Sequence, residues 1–180
     1  MLILMGPSAS GKTETAKILE RDHGLKKVIT HTTRGMRIHE TNDVDYHFVS
    51  VDTFLKMKEN DEFVETTKYN NNYYGTSKKE ISDEKCVILD PKGAEVFSLL
   101  NDDHIFIVYL KCDEEVRYQR MTFRLDNPEI IKIRISSDRE TFSSKCEEIA
   151  NVVIDSNNID LISLANKIYS LYQNHLSNIK

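Results

Sequence analysis

A glycine-rich loop close to the N-terminus has the residue types and the spacing of a phosphate-binding site. Residues 6–13 read GPSASGKT, which fits the pattern GxxxxGK[ST], and they follow the apolar run Leu2–Met5. In this pattern successive backbone N–H groups and the start of a helix face phosphate oxygens. The lysine reaches the terminal phosphates, and the Ser/Thr hydroxyl can ligate Mg²⁺. We therefore predict a P-loop for the phosphates of a nucleotide, formed by Gly6, Ser8, Ala9, Ser10, Gly11, Lys12 and Thr13, with Thr13 as metal ligand. The loop alone leaves an ATPase, a GTPase, a kinase and a mechanical motor open.

Two arginines follow in a second candidate site. Arg34 and Arg37 lie three residues apart in a predicted loop after the second strand. Two guanidinium groups at this spacing can converge on one phosphate, because each offers a fork of paired donors. The alternative is an exposed basic loop, which two arginines on their own would favour. Polar motifs at residues 43–50, 63–65 and 72–77 favour a binding site instead.

Apolar runs alternate with helical patterns over most of the chain. Strands are predicted at residues 2–5, 27–30, 86–89, 105–110 and 152–154, and helices at 13–23, 91–100, 113–123, 129–149 and 159–177. Short strands that alternate with helices predict an α/β fold, in which a parallel sheet is flanked by helices on both faces.

Residues 31–76 have a different pattern. Residues 45–50 and 62–69 alternate like antiparallel strands, and residues 51–59 between them are typical of a short helix. We predict a mixed α/β subdomain inserted at about 31–76 into a core of residues 1–30 and 77–180. The chain of 180 residues is then a single domain.

The composition limits the class of protein. A formal net charge of -5 argues against a general nucleic-acid binder, although a basic pocket for small anions is compatible with it. Cys86, Cys112 and Cys146 lack metal-binding spacing, which indicates structural thiols in a reducing compartment. The N-terminal apolar run is too short for a membrane span or a signal peptide. We predict a cytoplasmic protein that binds neither nucleic acid nor membrane.

The motifs, taken in order, resemble those of the guanylate kinase family. The matching segments are GPSASGKT (6–13), THTTRGMR (30–37), DVDYHFVS (43–50), EFVE (62–65) and NYYGTS (72–77). Their separations are familiar from the family, and the resemblance extends to the closing helix. It implies an ATP:GMP phosphotransferase that works with Mg²⁺, accepts GMP or dGMP, and forms no covalent intermediate.

The resemblance also implies roles for the acceptor residues. The phosphate of GMP would be bound by Arg34, Arg37, Tyr46 and Tyr74, and the base would be surrounded by Thr30, Glu65 and Thr76. A carboxylate such as Glu65 can accept hydrogen bonds from the N1–H and the 2-amino group of guanine. Adenine lacks this pair of donors, so the carboxylate would select guanine.

The family has a mobile lid whose arginines match Arg120, Arg124 and Arg134. These residues lie around the polar segment 125–129, with one fewer residue between the second and the third than in the family. Lid arginines would neutralise charge as the phosphoryl group moves and would exclude water. The resemblance thus implies a short helical lid at about 120–134, and a catalytic set of Lys12, Arg34, Arg124 and Arg134.

The chain departs from the family pattern after the strand at 86–89. The family usually carries two acids there, two residues apart, whereas this chain has Asp90 alone. Counted back from Gly93, Asp90 is the acid near guanine, and Ile88 occupies the other position. A gapped alignment makes Asp90 the acid near the metal shell instead. We predict that Asp90 binds GMP, with the metal role as the alternative; an Asp that caps the next helix fits both.

Two rival functions stay open at this point. One is a kinase of the same fold with a changed acceptor, such as another nucleotide or a sugar phosphate, which the altered Asp90 region suggests. Glu65 together with Arg34 and Arg37 argues against it. The other is a non-catalytic guanylate-kinase-like module that binds phosphorylated protein segments, and the intact P-loop argues against that. The arginine loop also departs from the family, at Met36, His39 and Asp43, and the sequence leaves the oligomeric state open.

Overall fold

The central strand of the protein is its first apolar run, in which every residue is fully buried. The computed structural model describes residues 1–36, 38, 40–69 and 71–179. The strands in chain order are β1 (Leu2–Met5), β2 (Lys26–Lys27), β3 (His31–Thr32), β4 (His47–Phe48), β5 (Phe63–Tyr69), β6 (Asn72–Ser77), β7 (Lys85–Ile88), β8 (Phe106–Lys111) and β9 (Val152–Asp155). The helices are α1 (Lys12–His23), α2 (Val51–Glu59), α3 (Pro91–Ser98), α4 (Glu114–Phe123), α5 (Pro128–Thr141), α6 (Lys145–Ile149) and α7 (Leu161–Ile179).

Five strands form a parallel sheet in the order β2-β7-β1-β8-β9. Alternate residues of β1 enter apolar clusters on opposite faces of this sheet. Leu4 shares one cluster with Ile168 of α7, and Ile3 shares the other with Phe97 of α3. Because helices cover both faces, the strand is apolar throughout rather than alternating. The predicted α/β class is confirmed.

The chain between β2 and β7 contributes a second sheet of four strands, in the order β4-β3-β6-β5. β5 and β6 form an antiparallel hairpin, β3 pairs antiparallel with β6, and β4 pairs in parallel with β3. The antiparallel strand predicted at 45–50 is therefore wrong in both direction and length. Alternation along a strand indicates that one face is buried, and it carries no information about the direction of the partner strand.

The helix predicted at 129–149 is also wrong, because the structure has two helices, α5 and α6. Phe142 follows α5 with a φ of -101° and a ψ of 80°, outside the helical region. Its ring lies parallel to that of Tyr109 with 6.3 Å between the centroids. Packing of Phe142 in the core thus ends the helix that the periodicity alone would continue. The strand predicted at 27–30 is similarly displaced, since β2 covers Lys26–Lys27.

The hairpin of the second sheet depends on the absence of a side chain at Gly75. A Cβ at this position would lie 2.9 Å from Cδ1 of Phe63 and 3.0 Å from Cζ of Phe54. The two rings are buried and stacked with their centroids 4.5 Å apart, so neither ring can move without disturbing the other. We expect Gly75→Ala to lower the free energy of unfolding, measured in urea, by about 1–3 kcal/mol. Gly35→Ala is the control, because no described atom lies within 4 Å of its Cβ; equal losses in both variants would contradict this explanation.

Candidate active site

The P-loop connects β1 to α1, and two glycines permit its shape. A Cβ on Gly6 would lie 2.6 Å from the carbonyl oxygen of Leu110, so a larger residue would push the loop away from β8. Gly11 has a φ of 102°, which favours glycine, and it directly precedes α1. The loop therefore wraps the N-terminus of α1, where the helix dipole favours an anion. The buried hydroxyl of Ser10 has no hydrogen-bond partner among the described residues.

Lys12 is folded back onto this loop. Its Nζ donates to the carbonyl oxygens of Gly6 and Pro7, at 2.5 and 2.8 Å. Burial lowers the pKa of Lys12 to about 8; the nearby Asp138 carboxylate opposes this change, and the Arg117 cation adds to it. The ammonium group is thus held by neutral oxygens, which anionic phosphates can replace.

Two residues that the sequence analysis missed lie against the P-loop. The backbone N–H of Ser8 donates to Oδ2 of Asp138 at 2.9 Å, and Nη1 of Arg117 donates to the same oxygen at 2.7 Å. The only signal in the sequence is that Asp138 and Arg134 are four residues apart on one predicted helix, which places them on one face. That spacing does not reveal a contact with Ser8, which is 130 residues distant along the chain.

Arg120 holds α4 against the P-loop and the turn after β9. Its Nη1 donates to the carbonyl oxygen of Ala9 at 3.1 Å, and its Nη2 donates to those of Ser156 and Asn157, at 2.6 and 3.1 Å. Ala9 also packs against the small apolar cluster of α4 and α5, which includes Met121. Arg120 is therefore engaged at the base of the predicted lid, with the P-loop itself as its partner.

Of the two other lid arginines, Arg124 ends α4 and Arg134 lies in the middle of α5. Nη2 of Arg124 and Nη1 of Arg134 both donate to Oδ2 of Asp126, at 3.2 and 3.1 Å. Their side chains are about half exposed, at 52% and 47%. The structure thus brings Arg124 and Arg134 together on a single carboxylate. A cavity of about 470 Å³ borders Arg124 and the P-loop residue Gly11.

Glu65 lies across the hairpin of β5 and β6 from Thr76, which is also predicted to lie beside the base. The pairing register shifts between Phe63 and Glu65, so that Glu65 lies opposite Thr76. Thr76 is fully buried, and its Oγ1 donates to Oε1 of Glu65 at 2.8 Å. Burial raises the pKa of Glu65; the Thr76 hydrogen bond opposes this, and the charge of Asp90 adds to it. A β-bulge redirects side chains, and here it turns a carboxylate toward the end of β7.

Asp90 caps α3, a role that is compatible with both alternatives considered for it, near guanine or near the metal. Its Oδ1 accepts the backbone N–H of Gly93 at 2.8 Å, and Pro91 occupies the first helical position. The carboxylate is close enough to Glu65 to affect its pKa, and it also lines a cavity of about 210 Å³ together with Lys12 and Ile88. Asp90 thus lies between the base-side carboxylate and the P-loop.

Arg34 follows β3 and lies against two aromatic rings. Its guanidinium carbon is 5.4 Å from the ring centroid of Tyr46 and 5.6 Å from that of Phe48. Its Nη2 donates to Oε1 of Glu40 at 2.6 Å, and both of these side chains are 16% exposed. The rings of Tyr46 and Tyr74 meet edge to face, with 6.2 Å between centroids. Arg37 lies outside the described residues.

One cavity connects the two predicted sites. It has a volume of about 400 Å³, and its walls include Thr13 from α1, Thr30 and Tyr46 from the segment after β2, and Ile88 from β7. A residue predicted to hold the donor's metal ion and residues predicted to hold the acceptor therefore share one space.

No group of three or more His, Cys, Asp or Glu side chains among the described residues could hold a metal ion. No described helix has both the length and the apolar character needed to cross a membrane.

Comparison with known proteins gives a consistent result. The family model "Guanylate kinase" matches residues 1–169. The guanylate kinase of Chromohalobacter salexigens is 30% identical over 162 residues, which cover 86% of this chain and 75% of that protein. The guanylate kinase of Rickettsia bellii is 34% identical over 155 residues, covering 82% of this chain and 81% of that protein.

Solved structures share the fold. The crystal structure of guanylate kinase from Anaplasma phagocytophilum aligns with a TM-score of 0.69 at 24% identity, over 97% of this chain and 84% of that one. A gluconokinase from Sinorhizobium meliloti aligns with a TM-score of 0.57 at 16% identity, over 99% and 94%. These likenesses concern the fold alone, whereas the family model covers nearly the whole sequence. The chain belongs to the guanylate kinase family.

Proposed function

We propose that the protein transfers the terminal phosphoryl group of ATP to GMP or dGMP, giving ADP and GDP or dGDP. The observation that carries this proposal is the shared cavity, in which Thr13 of the P-loop region lies with Thr30 and Tyr46 of the acceptor side. Phosphoryl transfer needs an in-line approach of donor and acceptor, and most of the catalysis comes from positioning and charge neutralisation. No protein nucleophile is required, because the phosphate oxygen of the acceptor is already anionic.

The donor would lie along the P-loop. Its phosphates would meet the loop's N–H groups from Gly6 to Thr13 and the ammonium of Lys12, which would exchange the carbonyls of Gly6 and Pro7 for phosphate oxygens. The cavity beside Gly11 and Arg124 is adjacent to the loop, and it is our candidate for the donor base.

The acceptor would lie against the second sheet. Arg34, with Arg37, Tyr46 and Tyr74, would bind its phosphate, and Glu65 would accept hydrogen bonds from the base while Thr30 and Thr76 lie beside it. The position of Arg34 supports this role, because a guanidinium stacked on aromatic rings is held in one orientation and keeps its fork of donors.

Mg²⁺ accompanies ATP in this proposal. The protein offers it one ligand, the hydroxyl of Thr13, and no clustered acids are present in the described chain. That donor set fits Mg²⁺, which keeps several waters and takes phosphate oxygens in preference to a full protein cage. When bound, the ion would reduce the negative charge of the phosphates.

We further propose that the lid at about 120–134 and the inserted segment at about 31–76 close on the core when both nucleotides bind. Arg124 and Arg134 would leave Asp126 for the phosphates of the donor. We also propose that the reaction takes place in the cytoplasm, because all three cysteines are free and buried.

A panel of acceptors tests the proposal and its rival. ADP release, coupled to a spectrophotometric signal, is measured with GMP, dGMP, AMP, CMP, UMP and a sugar phosphate. We expect turnover with GMP or dGMP and little with the others. Equal turnover with AMP or the sugar phosphate would instead support the kinase with a changed acceptor.

Arg34→Lys should weaken acceptor binding. A lysine keeps the charge but loses the fork of donors and the stacking over Tyr46 and Phe48. We expect the KM for GMP to rise about tenfold, equivalent to about 1.4 kcal/mol, while the KM for ATP stays unchanged. Steady-state kinetics with each substrate varied in turn measures both, and an unchanged KM for GMP would show that Arg34 serves another purpose.

Asp90→Asn should separate the two roles considered for Asp90. The negative charge of Asp90 helps to raise the pKa of Glu65, so its removal lowers that pKa. Glu65 must be ionised to accept from guanine, and activity is lost as the pH falls through its pKa. We therefore expect the acid limb of kcat/KM for GMP to move to lower pH. An equal loss with every acceptor, partly restored by more Mg²⁺, would place Asp90 in the metal shell.

A further inference from the structure

Asp138 is a buried carboxylate at the P-loop for which the proposed function has no use so far. It comes from α5, and its partner Arg117 comes from α4. Their side chains are 11% and 6% exposed, and Oδ2 of Asp138 accepts from both Arg117 and the backbone of Ser8. The pair thus joins the bases of both lid helices to the loop that would bind the donor.

Three charged side chains meet at this place. Lys12 is hydrogen-bonded to two carbonyl oxygens, and Asp138 and Arg117 both act on its charge, the first favourably and the second unfavourably. Without Asp138, two buried cations would lie close together with neutral partners, an arrangement that costs free energy and drives them apart. Asp138 is the acidic member of this group: it pairs directly with Arg117 at 2.7 Å, and it lines the same cavity as Lys12.

The cavity beside these residues is also lined by a second carboxylate, that of Asp90. Its walls of about 210 Å³ include Lys12, Ile88, Asp90 and Asp138. The Asp90 carboxylate already caps the N-terminus of α3, because its Oδ1 accepts the backbone N–H of Gly93. Ile88, at the end of β7, presents an apolar side chain there. β7 thus supplies no carboxylate to this cavity at Ile88, whereas α5 supplies one through Asp138.

We propose that Asp138 is a positioning residue for phosphoryl transfer, which holds Lys12 and Arg117 at the P-loop as their shared counterion from the α5 wall of the cavity. The inference rests on the proposed function. A site that is charged and ordered before the substrate arrives needs no rearrangement during the reaction, which is the basis of electrostatic catalysis. The donor then meets cations that are already in place.

Asp138→Asn removes the charge while it keeps the size and an oxygen that can accept from Ser8. We expect kcat to fall on the order of tenfold to a hundredfold, because the lysine is misplaced, with the KM for GMP unchanged. Glu114→Gln is the matched control. It breaks the pair of Glu114 with Arg139, which also joins α4 to α5 but is exposed and makes no hydrogen bond to the P-loop among the described residues, and it should leave kcat at the wild-type value.

A second substitution distinguishes two roles for Asp138: that of a counterion, and that of a hydrogen-bond acceptor that only links α5 to the P-loop. Ile88→Asp, added to Asp138→Asn, supplies a carboxylate from another wall of the same cavity. We expect it to restore most of kcat, although it cannot rebuild the contact of α5 with Ser8. If kcat of the double variant stays low, Asp138 only links α5 to the P-loop and the proposal fails. The proposal fails equally if kcat of Asp138→Asn equals that of the wild type.

Two further measurements keep the test independent of folding and of the acceptor. The variant Arg117→Met/Asp138→Leu replaces the pair by apolar groups, which commonly preserves stability, and its kcat should remain low because Lys12 has lost its counterion. Wild-type kcat in this variant would overturn the proposal. Crystal structures should show Nζ of Lys12 displaced from the carbonyls of Gly6 and Pro7 in Asp138→Asn, and returned in the double variant with Ile88→Asp. An undisplaced lysine contradicts the counterion role, whereas a wild-type protein inactive on GMP contradicts only the proposed function.

Discussion

Lys12→Ala is expected to abolish phosphoryl transfer while the protein stays folded. The ammonium of Lys12 is the charge that the P-loop can offer to the terminal phosphates, and loss of one such group costs on the order of 10³-fold in kcat. Among the described residues, Lys12 donates hydrogen bonds only to carbonyl oxygens of its own loop, and Asp138 keeps its partner Arg117 when Lys12 is removed.

The fold should not suffer from this substitution. Burial lowers the pKa of Lys12 to about 8, which means that the folded protein disfavours the charged lysine relative to the unfolded chain. Alanine removes that unfavourable term, and the thermal midpoint should stay constant or rise. The control is Arg21→Ala on the same helix, where the side chain is exposed and paired with Asp22. Near wild-type turnover of Lys12→Ala would contradict the assignment of the donor site.

Three of the arginines assigned to phosphate are paired with the protein's own acids. Arg34 is bound to Glu40, and Arg124 and Arg134 share Asp126. These carboxylates keep the guanidinium groups ordered, and each substrate must replace one of them. Exchange of an exposed pair such as Arg134 with Asp126 costs little, because surface ion pairs contribute little stability.

The P-loop and the class of fold could be predicted from the sequence, because both rest on local patterns. The loop needs its glycines and Lys12 at fixed spacings, and β1 needs a short continuous apolar run. β6 was not predicted as a strand, because its residues 72–77 are mostly polar and its pairing with β5 depends on tertiary packing around Gly75. The contacts of Asp138 with Arg117 and with Ser8 were missed for a related reason, since they span 21 and 130 residues and no periodicity indicates contacts between separate elements.

Selectivity for guanine gives the second large effect that we expect. Glu65 lies at a β-bulge opposite Thr76, where it could accept from the N1–H and the 2-amino group of GMP. AMP would present an unprotonated N1 to this carboxylate and leave its charge without partners. A site built on such paired hydrogen bonds rejects the analogue by about 10⁴-fold or more, whereas a site that selects by shape alone reaches about 10²-fold.

Glu65→Gln should remove that selectivity at no cost to the fold. Glutamine has the same size and can still accept from Thr76, but it turns an N–H₂ group toward the donors of guanine. We expect kcat/KM for GMP to fall on the order of 10³-fold, with little change for AMP. Because burial raises the pKa of Glu65, its charge destabilises the folded protein at neutral pH, and the neutral glutamine should keep or raise the thermal midpoint.

The matched control is Glu59→Gln, which removes an exposed carboxylate from α2 and should change neither substrate's kinetics. The two nucleotides are compared by kcat/KM in the same coupled assay, so that a general loss of activity cancels from the ratio of GMP to AMP. If that ratio is small in the wild type and stays the same in Glu65→Gln, Glu65 does not read the base. The bulge would then serve the packing of the hairpin alone, and the kinase with a changed acceptor would become the better account of this site.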